Sequence, residues 1–499
     1  MTRGLRDRVL MWGGWLALWL VLSLVVCLTM PGGRSDDAEI LQHVQFLAPG
    51  YRLRNPPLFE WISWSVMTLT GPSMAVVLCL RVGCVALMMA LLYKLGRVLS
   101  LSTWGALAAA LSVGLVPNLY YYALFDLTHT VLAGVFYVAL PLAVLWARAQ
   151  PSVVRMAVLG LMGGLGLLTK HVFVIYVAAA LLSCAVVPSF RRLLQPRHLL
   201  VAVVVAVLVV SPYALWVIQQ GADAFHMQQQ ESLHVDGHGS PSRLMVVVRL
   251  LSVVAAVVLP WMVWRFLFIG RALWQVAPGP ARDQEAVRWL TWTLGVTLLL
   301  MLLIWMAQGA QRLEPHHVYF LALAPVAWAA SFVQVDTPKV KRLAWATLVW
   351  TAVVVPLVFA VNAHKTASRC RECGPYVDYP ELARHIGEAG LTQGTLYYAS
   401  HTRLLSVPAL VPYLPGVQMV RVDVPASESP VASRQGACGV IWQPGKDRWQ
   451  QSPPDSLPVA LRDALAAGQP VAVQWTVRLA TTNRDAQTVS LIVLPKGCP

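Results

Sequence analysis

Charge is scarce in this sequence: Asp, Glu, Lys and Arg make up 12% of its 499 residues, about half the share of a soluble domain. For most of the chain that excludes a water-soluble globular fold. Nucleotide-binding signatures are missing too, both the Gly-rich phosphate loop and the dinucleotide fingerprint. The His-rich stretches lack the spacing of a metal site, so no cofactor is expected to be required, although a divalent metal beside Asp36 and Asp37 stays open. No internal repeat of the kind found in many transporters is visible. The formal charge of +15 is not gathered into a basic stripe interleaved with aromatics, which argues against nucleic acid as a partner.

Apolar length is abundant instead, with 57% hydrophobic residues and 20 Trp. A bilayer core takes about 20 apolar residues per helix. Eleven stretches approach that length: 9–30, 73–93, 99–118, 129–147, 152–168, 171–189, 198–218, 244–269, 289–307, 318–334 and 342–362. The first is too long for a signal-peptide core and lacks a clear small-residue cleavage site, so it is read as an anchor. Beyond 362 the hydropathy falls to that of a soluble domain, which divides the chain into a membrane part, 1–362, and a soluble part, 363–499. With the N-terminus inside, sixteen Lys and Arg fall in inner segments and six in outer loops. By the positive-inside rule the N-terminus is therefore cytoplasmic and the C-terminal domain lies outside.

Acidic residues are arranged the other way. Of thirteen in the membrane part, nine lie on the outer side: Asp36, Asp37, Glu39, Glu60, Asp126, Asp223, Glu231, Asp236 and Glu314. Eight of the twelve histidines fall in or beside outer loops as well. Acidic residues contribute little to topology, so the asymmetry points to an outer active site or to ordinary loop polarity.

The first outer loop, 31–72, opens with GGRSDDAEI, passes through LQHVQFLAPG, which reads as a short helix along the membrane, and continues YRLRNPPLFEWISW. Asp36 and Asp37 come directly after the first span, at headgroup depth. A carboxylate there can deprotonate an acceptor or bind a metal; alternatively Ser35 or Asp36 caps the following helix, with Glu39 near its first turn. Asp126 stands in NLYYYALFDLTH, and the tight turn GLLTKHVF puts Lys170 and His171 at the outer boundary. Lys170 either snorkels or faces a lipid phosphate. Arg81, Arg249 and Arg265 fall inside spans, where a charge usually faces a polar interior.

Taken in order, these pieces resemble the GT-C superfamily of integral-membrane glycosyltransferases. The resemblance is closest to the bacterial branch that holds the lipid A aminoarabinose transferase and the protein O-mannosyltransferase-like, glycosyltransferase family 39-type proteins. RSDDAEI is similar to that family's acidic box, NPPLFEWI to its Pro-Pro-Leu element, and LRVGCVALMMALLYKLGRVL to its Arg-headed span. LFDLTH resembles the second acidic site, GLLTKH the lysine turn, ESLHVDGHG the stretch after span seven, and HHVYFLALAP the late element. The resemblance implies a polytopic α-helical GT-C fold with a small C-terminal α/β periplasmic domain, in a bacterial inner membrane. It implies transfer of a sugar from a polyprenyl-phosphate donor to an envelope lipid or glycan, a protein acceptor being less expected, with inversion. Asp36 is the implied base with Asp37 beside it, and Asp126 the second acid, orienting substrate or the first loop. Lys170, Arg81 and His317 are implied to face the donor phosphate, and Glu231, His234 and Tyr319 to line the substrate rim. The box reads Asp-Asp here, so either Asp can be the base. Asn55 stands where the family carries Lys or His, and Arg52 or Arg54 is expected to take over its phosphate contact.

In the soluble part, TLYYA, MVRVDV and GVIWQ read as strands, VALRDALAAG as a helix, and AVQWTVRLA with TVSLIVLP as a hairpin. Four cysteines, Cys370, Cys373, Cys438 and Cys498, suit two disulfides outside the cytoplasm, in any of three pairings. CRECG is alternatively a redox or zinc motif. Two other functions are compatible with the pattern: a transporter or flippase of a lipid-linked glycan, and an assembly protein without chemistry.

Overall fold

The computed structural model describes residues 3–29, 32–116, 126–221, 243–270, 283–308, 315–331, 337–369, 374–398, 406–422, 436–442, 457, 459, 461–463, 471–478 and 485–494. Its helices are α1 (Arg3–Thr29), α2 (Ser35–His43), α3 (Leu58–Thr70), α4 (Met74–Val98), α5 (Thr103–Leu111), α6 (Thr128–Ala149), α7 (Val153–Leu167) and α8 (Phe173–Val186). They continue with α9 (Pro196–Gln220), α10 (Arg243–Ile269), α11 (Gln284–Gln308), α12 (Ala324–Ser331), α13 (Thr337–Arg369) and α14 (Tyr379–Glu388). Seven of them, α1, α4, α6, α9, α10, α11 and α13, are long and apolar enough to cross a membrane, against eleven expected stretches. The other four stretches fall on shorter helices: α5 with its 3-10 continuation to Leu115, α7, α8, and the 3-10 segment Pro315–Leu323 with α12.

The first helix explains its own placement. Met11, Trp15, Trp19, Leu22 and Val26 recur at helical spacing and are buried, while Leu16, Leu20, Leu24 and Leu28 on the other side are exposed. One stripe packs on the bundle and the other suits lipid. Between α7 and α9 the fit depends on glycine. A Cβ on Gly160 would stand 2.2 Å from the Ala202 carbonyl oxygen, and one on Gly164 about 3.0 Å from Val209. This is the small-xxx-small packing by which membrane helices approach closely.

The first outer segment departs from the sequence reading. The short helix begins at Ser35, not within 41–50, and its cap is neither Ser35 nor Asp36: the Arg34 N–H is held by Asp37 Oδ2 at 3.0 Å. Asp37 therefore takes the third-position role in which a carboxylate reaches back to the preceding N–H. Further along, LFEWISWSVMTLT is helix α3 rather than loop, started by Pro57, whose fixed φ suits a helix start.

After α13, β1 (Gly394–Tyr398), β2 (Val417–Arg421), β3 (Ala437–Trp442), β4 (Val471–Arg478) and β5 (Asp485–Leu494) form one sheet in the order β2-β1-β3-β5-β4. The first three strands are parallel, with Leu396 opposite Met419 on one side and Gly439 on the other. The β4–β5 hairpin joins antiparallel to β3, as the alternating sequences there predict. Cys438 is disulfide-bonded, while its candidate partners Cys370, Cys373 and Cys498 lie outside the described residues. Cys27, Cys79, Cys84 and Cys184 are free thiols. The sheet rests on α2: Tyr398 donates its hydroxyl to Gln42 Oε1 at 2.7 Å, and the Met419 N–H donates to Gln45 Oε1 at 2.9 Å.

Gly33 makes the turn between α1 and α2 at φ +58, and a Cβ there would lie 2.6 Å from Asp37 Cβ. Gly33→Ala is expected to destabilise the protein by at least about 1–2 kcal/mol, the cost of left-handed backbone for an L-residue. A lower Tm in detergent checks it; an unchanged Tm would mean that the turn accepts another path.

Candidate functional site

Three aspartates from two distant segments meet at the C-terminal end of α1. Asp36 and Asp37 occupy the first turn of α2, where helix N–H groups favour negative charge. Asp126 directly precedes α6. The two segments exchange backbone-to-carboxylate bonds: the Asp36 N–H donates to Asp126 Oδ1 at 3.3 Å, and the Leu127 N–H donates to Asp36 Oδ2 at 3.1 Å. Leu127 sits at φ 63 and ψ 39, left-handed backbone that a branched residue holds only at a cost, and its N–H is the one that grips Asp36.

Beneath them lies Arg81 of α4, with no side-chain exposure. Its Nη1 pairs with Asp37 Oδ1 at 3.1 Å and donates to the Asp126 carbonyl at 3.1 Å. Arg81, expected to face the donor phosphate, engages both acidic segments from below. Burial pushes the Asp37 carboxyl up to about 6, even with Arg81 beside it. Asp126 is pushed well above the ordinary carboxylate range by burial first and then by the charges of Asp36 and Asp37. Asp37 is 1% exposed, whereas Asp36 and Asp126 are half-buried, so Asp36 is the box residue that a substrate can reach.

The cation side is built from the tight turn between α7 and α8. Lys170 Nζ donates to Asn55 Oδ1 at 3.1 Å, His171 Nε2 meets the Leu53 carbonyl at 2.7 Å, and the Leu58 N–H donates to the Leu168 carbonyl at 3.0 Å. Asn55, the departure from the family pattern, thus serves as a hydrogen-bond acceptor for the lysine. Burial pushes the Lys170 ammonium below its ordinary range, and Asp36 works against that shift. Of the two arginines expected to stand in for a lysine at 55, Arg52 is paired with Glu39 at 3.0 Å and Arg54 is exposed. Burial would raise the Glu39 carboxyl, but Arg52, His43, His129 and Arg54 together outweigh it and the group is lowered to about 2.

Sequence reasoning passed over a second buried centre. Glu60 Oε1, on α3, lies 3.4 Å from His43 Nδ1 at the end of α2 and 3.3 Å from His129 Nε2 in the first turn of α6, all three 2% exposed. Burial alone would raise the Glu60 carboxyl; His129 and then His43 hold it below the ordinary range. Tyr51 stacks on His43 with centroids 4.7 Å apart. A single acid inside the apolar run LFEWISW was the available signal, since such a group needs a partner.

The remaining candidates are more scattered. His317 lies in the 3-10 segment 315–323, edge-on to Trp305 at 5.7 Å and beside His316 at 4.2 Å, and Tyr319 is 2% exposed. Glu231 and His234 lie outside the described residues. No group of three or more His, Cys, Asp or Glu among the described residues is arranged to hold a metal ion; Asp37 has Arg81 as its counter-charge and Asp36 Oδ2 is bonded to Leu127.

Residues 54–216 match the family described as dolichyl-phosphate-mannose-protein mannosyltransferase. The chain is 30% identical to the lipopolysaccharide core galacturonosyltransferase RgtA of Rhizobium johnstonii over 213 residues, 42% of either chain, so it spans less than half of that protein. To RgtB of the same organism, also a lipopolysaccharide core galacturonosyltransferase, it is 25% identical over 455 residues, 88% of each. Its fold is similar to that of ArnT from Cupriavidus metallidurans bound to undecaprenyl phosphate, with a TM-score of 0.61 and 12% identity across 96% of this chain and 97% of that one. In fold the chain is similar to ArnT, and in sequence it is similar over part of its length to a mannosyltransferase family and to two galacturonosyltransferases.

Proposed function

We propose that the protein transfers a sugar from a polyprenyl-phosphate donor to a lipid or glycan of the cell envelope, on the outer face of a bacterial inner membrane. The observation that carries this reading is the knot of Asp36, Asp37 and Asp126 over Arg81, with Lys170 facing it at the end of a tight turn. The positive-inside count supports a cytoplasmic N-terminus and places the knot at the periplasmic surface. A polyprenyl chain would stay in the bilayer while its phosphosugar lies at the depth of the knot. RgtB, similar over most of its length, makes galacturonic acid the first sugar to test and lipopolysaccharide core the first acceptor.

In this reading Asp36 takes the proton of the acceptor hydroxyl. The acceptor oxygen bonds to the anomeric carbon from the side opposite the phosphate, the carbon–oxygen bond to phosphate breaks, and polyprenyl phosphate leaves. Displacement from that side inverts the anomeric centre. Lys170, with exposed Arg54 nearby, neutralises charge as it builds on the departing phosphate. Asp126 orients Asp36 through the shared backbone bonds, and Arg81 is a positioning residue. No divalent ion is needed as a phosphate ligand in this scheme, since the lysine turn supplies the cation.

A positioned base is worth about 10²–10⁴ in rate. Asp36→Asn is therefore expected to lower kcat by that factor with Tm unchanged, measured by mass spectrometry of donor loss and acceptor gain, and EDTA is expected to leave wild-type turnover intact. Turnover unaffected by Asp36→Asn would move the base elsewhere; no turnover of any polyprenyl-phosphate sugar by the folded wild type would favour a flippase.

The acid pair also predicts a pH response. Because Asp37 is raised to about 6, it is neutral below that pH and charged above it, and only the charged form pairs with Arg81. We expect kcat/KM to fall as pH drops through about 6. In Asp37→Asn, which stays neutral throughout, that inflection should vanish; an unchanged inflection would assign it to another group.

A further inference from the structure

A groove lies between α5, α10, α12 and α13. Its walls include Leu101 and Gly105 at the start of α5, Trp261 and Arg265 near the end of α10, and Leu343 near the start of α13. Lys341, beside that wall, bonds Asp7 near the start of α1 and stands 5.3 Å over the Trp104 ring. The other end of α1 leads into Gly33 and the acid box. The groove is therefore at the membrane face opposite the knot. Arg265 sits four residues before the end of α10, about 6 Å of helix rise, which is the depth where headgroups meet hydrocarbon.

Most polar groups of this groove are satisfied locally, the exceptions being Trp261 Nε1, buried without a hydrogen-bond partner, and Arg265. Ser102 Oγ accepts from the Gly105 N–H at 3.1 Å, Ser112 Oγ donates to the Ala109 carbonyl at 2.6 Å, and Thr347 Oγ1 accepts from Trp264 Nε1 at 3.1 Å. Arg265 is the charged exception. Its Nη1 reaches the Pro325 carbonyl only at 3.5 Å, and its Nε is buried with no partner. No carboxylate among the described residues pairs with it. A guanidinium has five donors, and leaving a partly buried charge uncompensated is costly. Arg265 is half-buried, with Nε turned into an apolar wall and the guanidinium at the rim of the groove, where an anion can reach it.

We infer that this groove binds the phosphate of an anionic phospholipid from the leaflet opposite the acidic knot, with Arg265 on the phosphate oxygens and an acyl chain along the apolar wall. The charge calls for an anion, and guanidinium matches phosphate in a two-pronged geometry. The lining of Leu101, Trp261 and Leu343 calls for an amphiphile rather than a free ion.

The test is native mass spectrometry of the full chain in detergent with equimolar phosphatidylglycerol and phosphatidylethanolamine. Wild type should retain one phosphatidylglycerol at least about tenfold in preference, Arg265→Gln should lose that preference, and Arg265→Lys should keep part of it. Ala109→Leu, which narrows the groove with the charge intact, should also lose it, and all variants should keep the wild-type Tm. Equal phosphatidylglycerol retention in wild type and Arg265→Gln would overturn the inference. So would displacement of the lipid by inorganic phosphate alone, which would make this a free-anion site. A wild-type dimer lost in Arg265→Gln would give the groove to a second copy of the chain instead.

Discussion

Arg81 has no exposure and lies within a helix of bilayer length, so its charge has to be met from inside the protein. Asp37 meets it from the start of α2, and the Asp126 carbonyl meets it from the segment before α6. Removing one partner from such a pair costs about 3–5 kcal/mol, far more than a surface ion pair is worth. The two outer segments are therefore tied to α4 and, through it, to each other. Everything that faces the outer surface, including Asp36 and the α2 helix under the soluble sheet, takes its position from that pair.

This division of labour explains why two neighbouring aspartates are not equivalent. Asp37 spends both oxygens on the fold, one on the Arg34 N–H and one on Arg81. Asp36, one residue earlier on the helix, is partly open, and its Oδ2 accepts from the Leu127 N–H. A helix turns 100° per residue, so consecutive side chains cannot share an environment. The buried member steadies the turn, and the open member keeps a face free of the ion pair.

Much of this was legible in the sequence. The period of Met11, Trp15, Trp19 and Leu22 gives α1 its packed and exposed faces, and the alternation in AVQWTVRLA and TVSLIVLP gives the β4–β5 hairpin, because both patterns are local. The identity of the acids was legible as well, since Asp36, Asp37 and Asp126 stand out in an apolar chain. What was not legible depends on contacts across the chain. Nothing near Arg81 in sequence names Asp37 as its partner, and α3 is too short and too apolar to be told from a loop beside the membrane. The cap of α2 was misread for a related reason: Ser35 has the better capping chemistry on propensity alone, but Asp37 was already committed to that corner by Arg81.

The Glu60 centre follows the same logic one layer deeper. Its three members come from α2, α3 and α6, so that a single carboxylate joins the helix carrying Asp36 to the helix that Asp126 introduces. A glutamine there could still accept one bond, but it would not carry the negative charge that Glu60 brings to the two imidazoles. Arg81 ties the two acidic segments together from α4, and Glu60 ties them from α3. Two independent ties, each made of buried charge, fix relative position more sharply than apolar packing does, because charge-assisted hydrogen bonds are short and directional. If Asp36 is the base proposed above, that rigidity is what holds it within reach of its substrate.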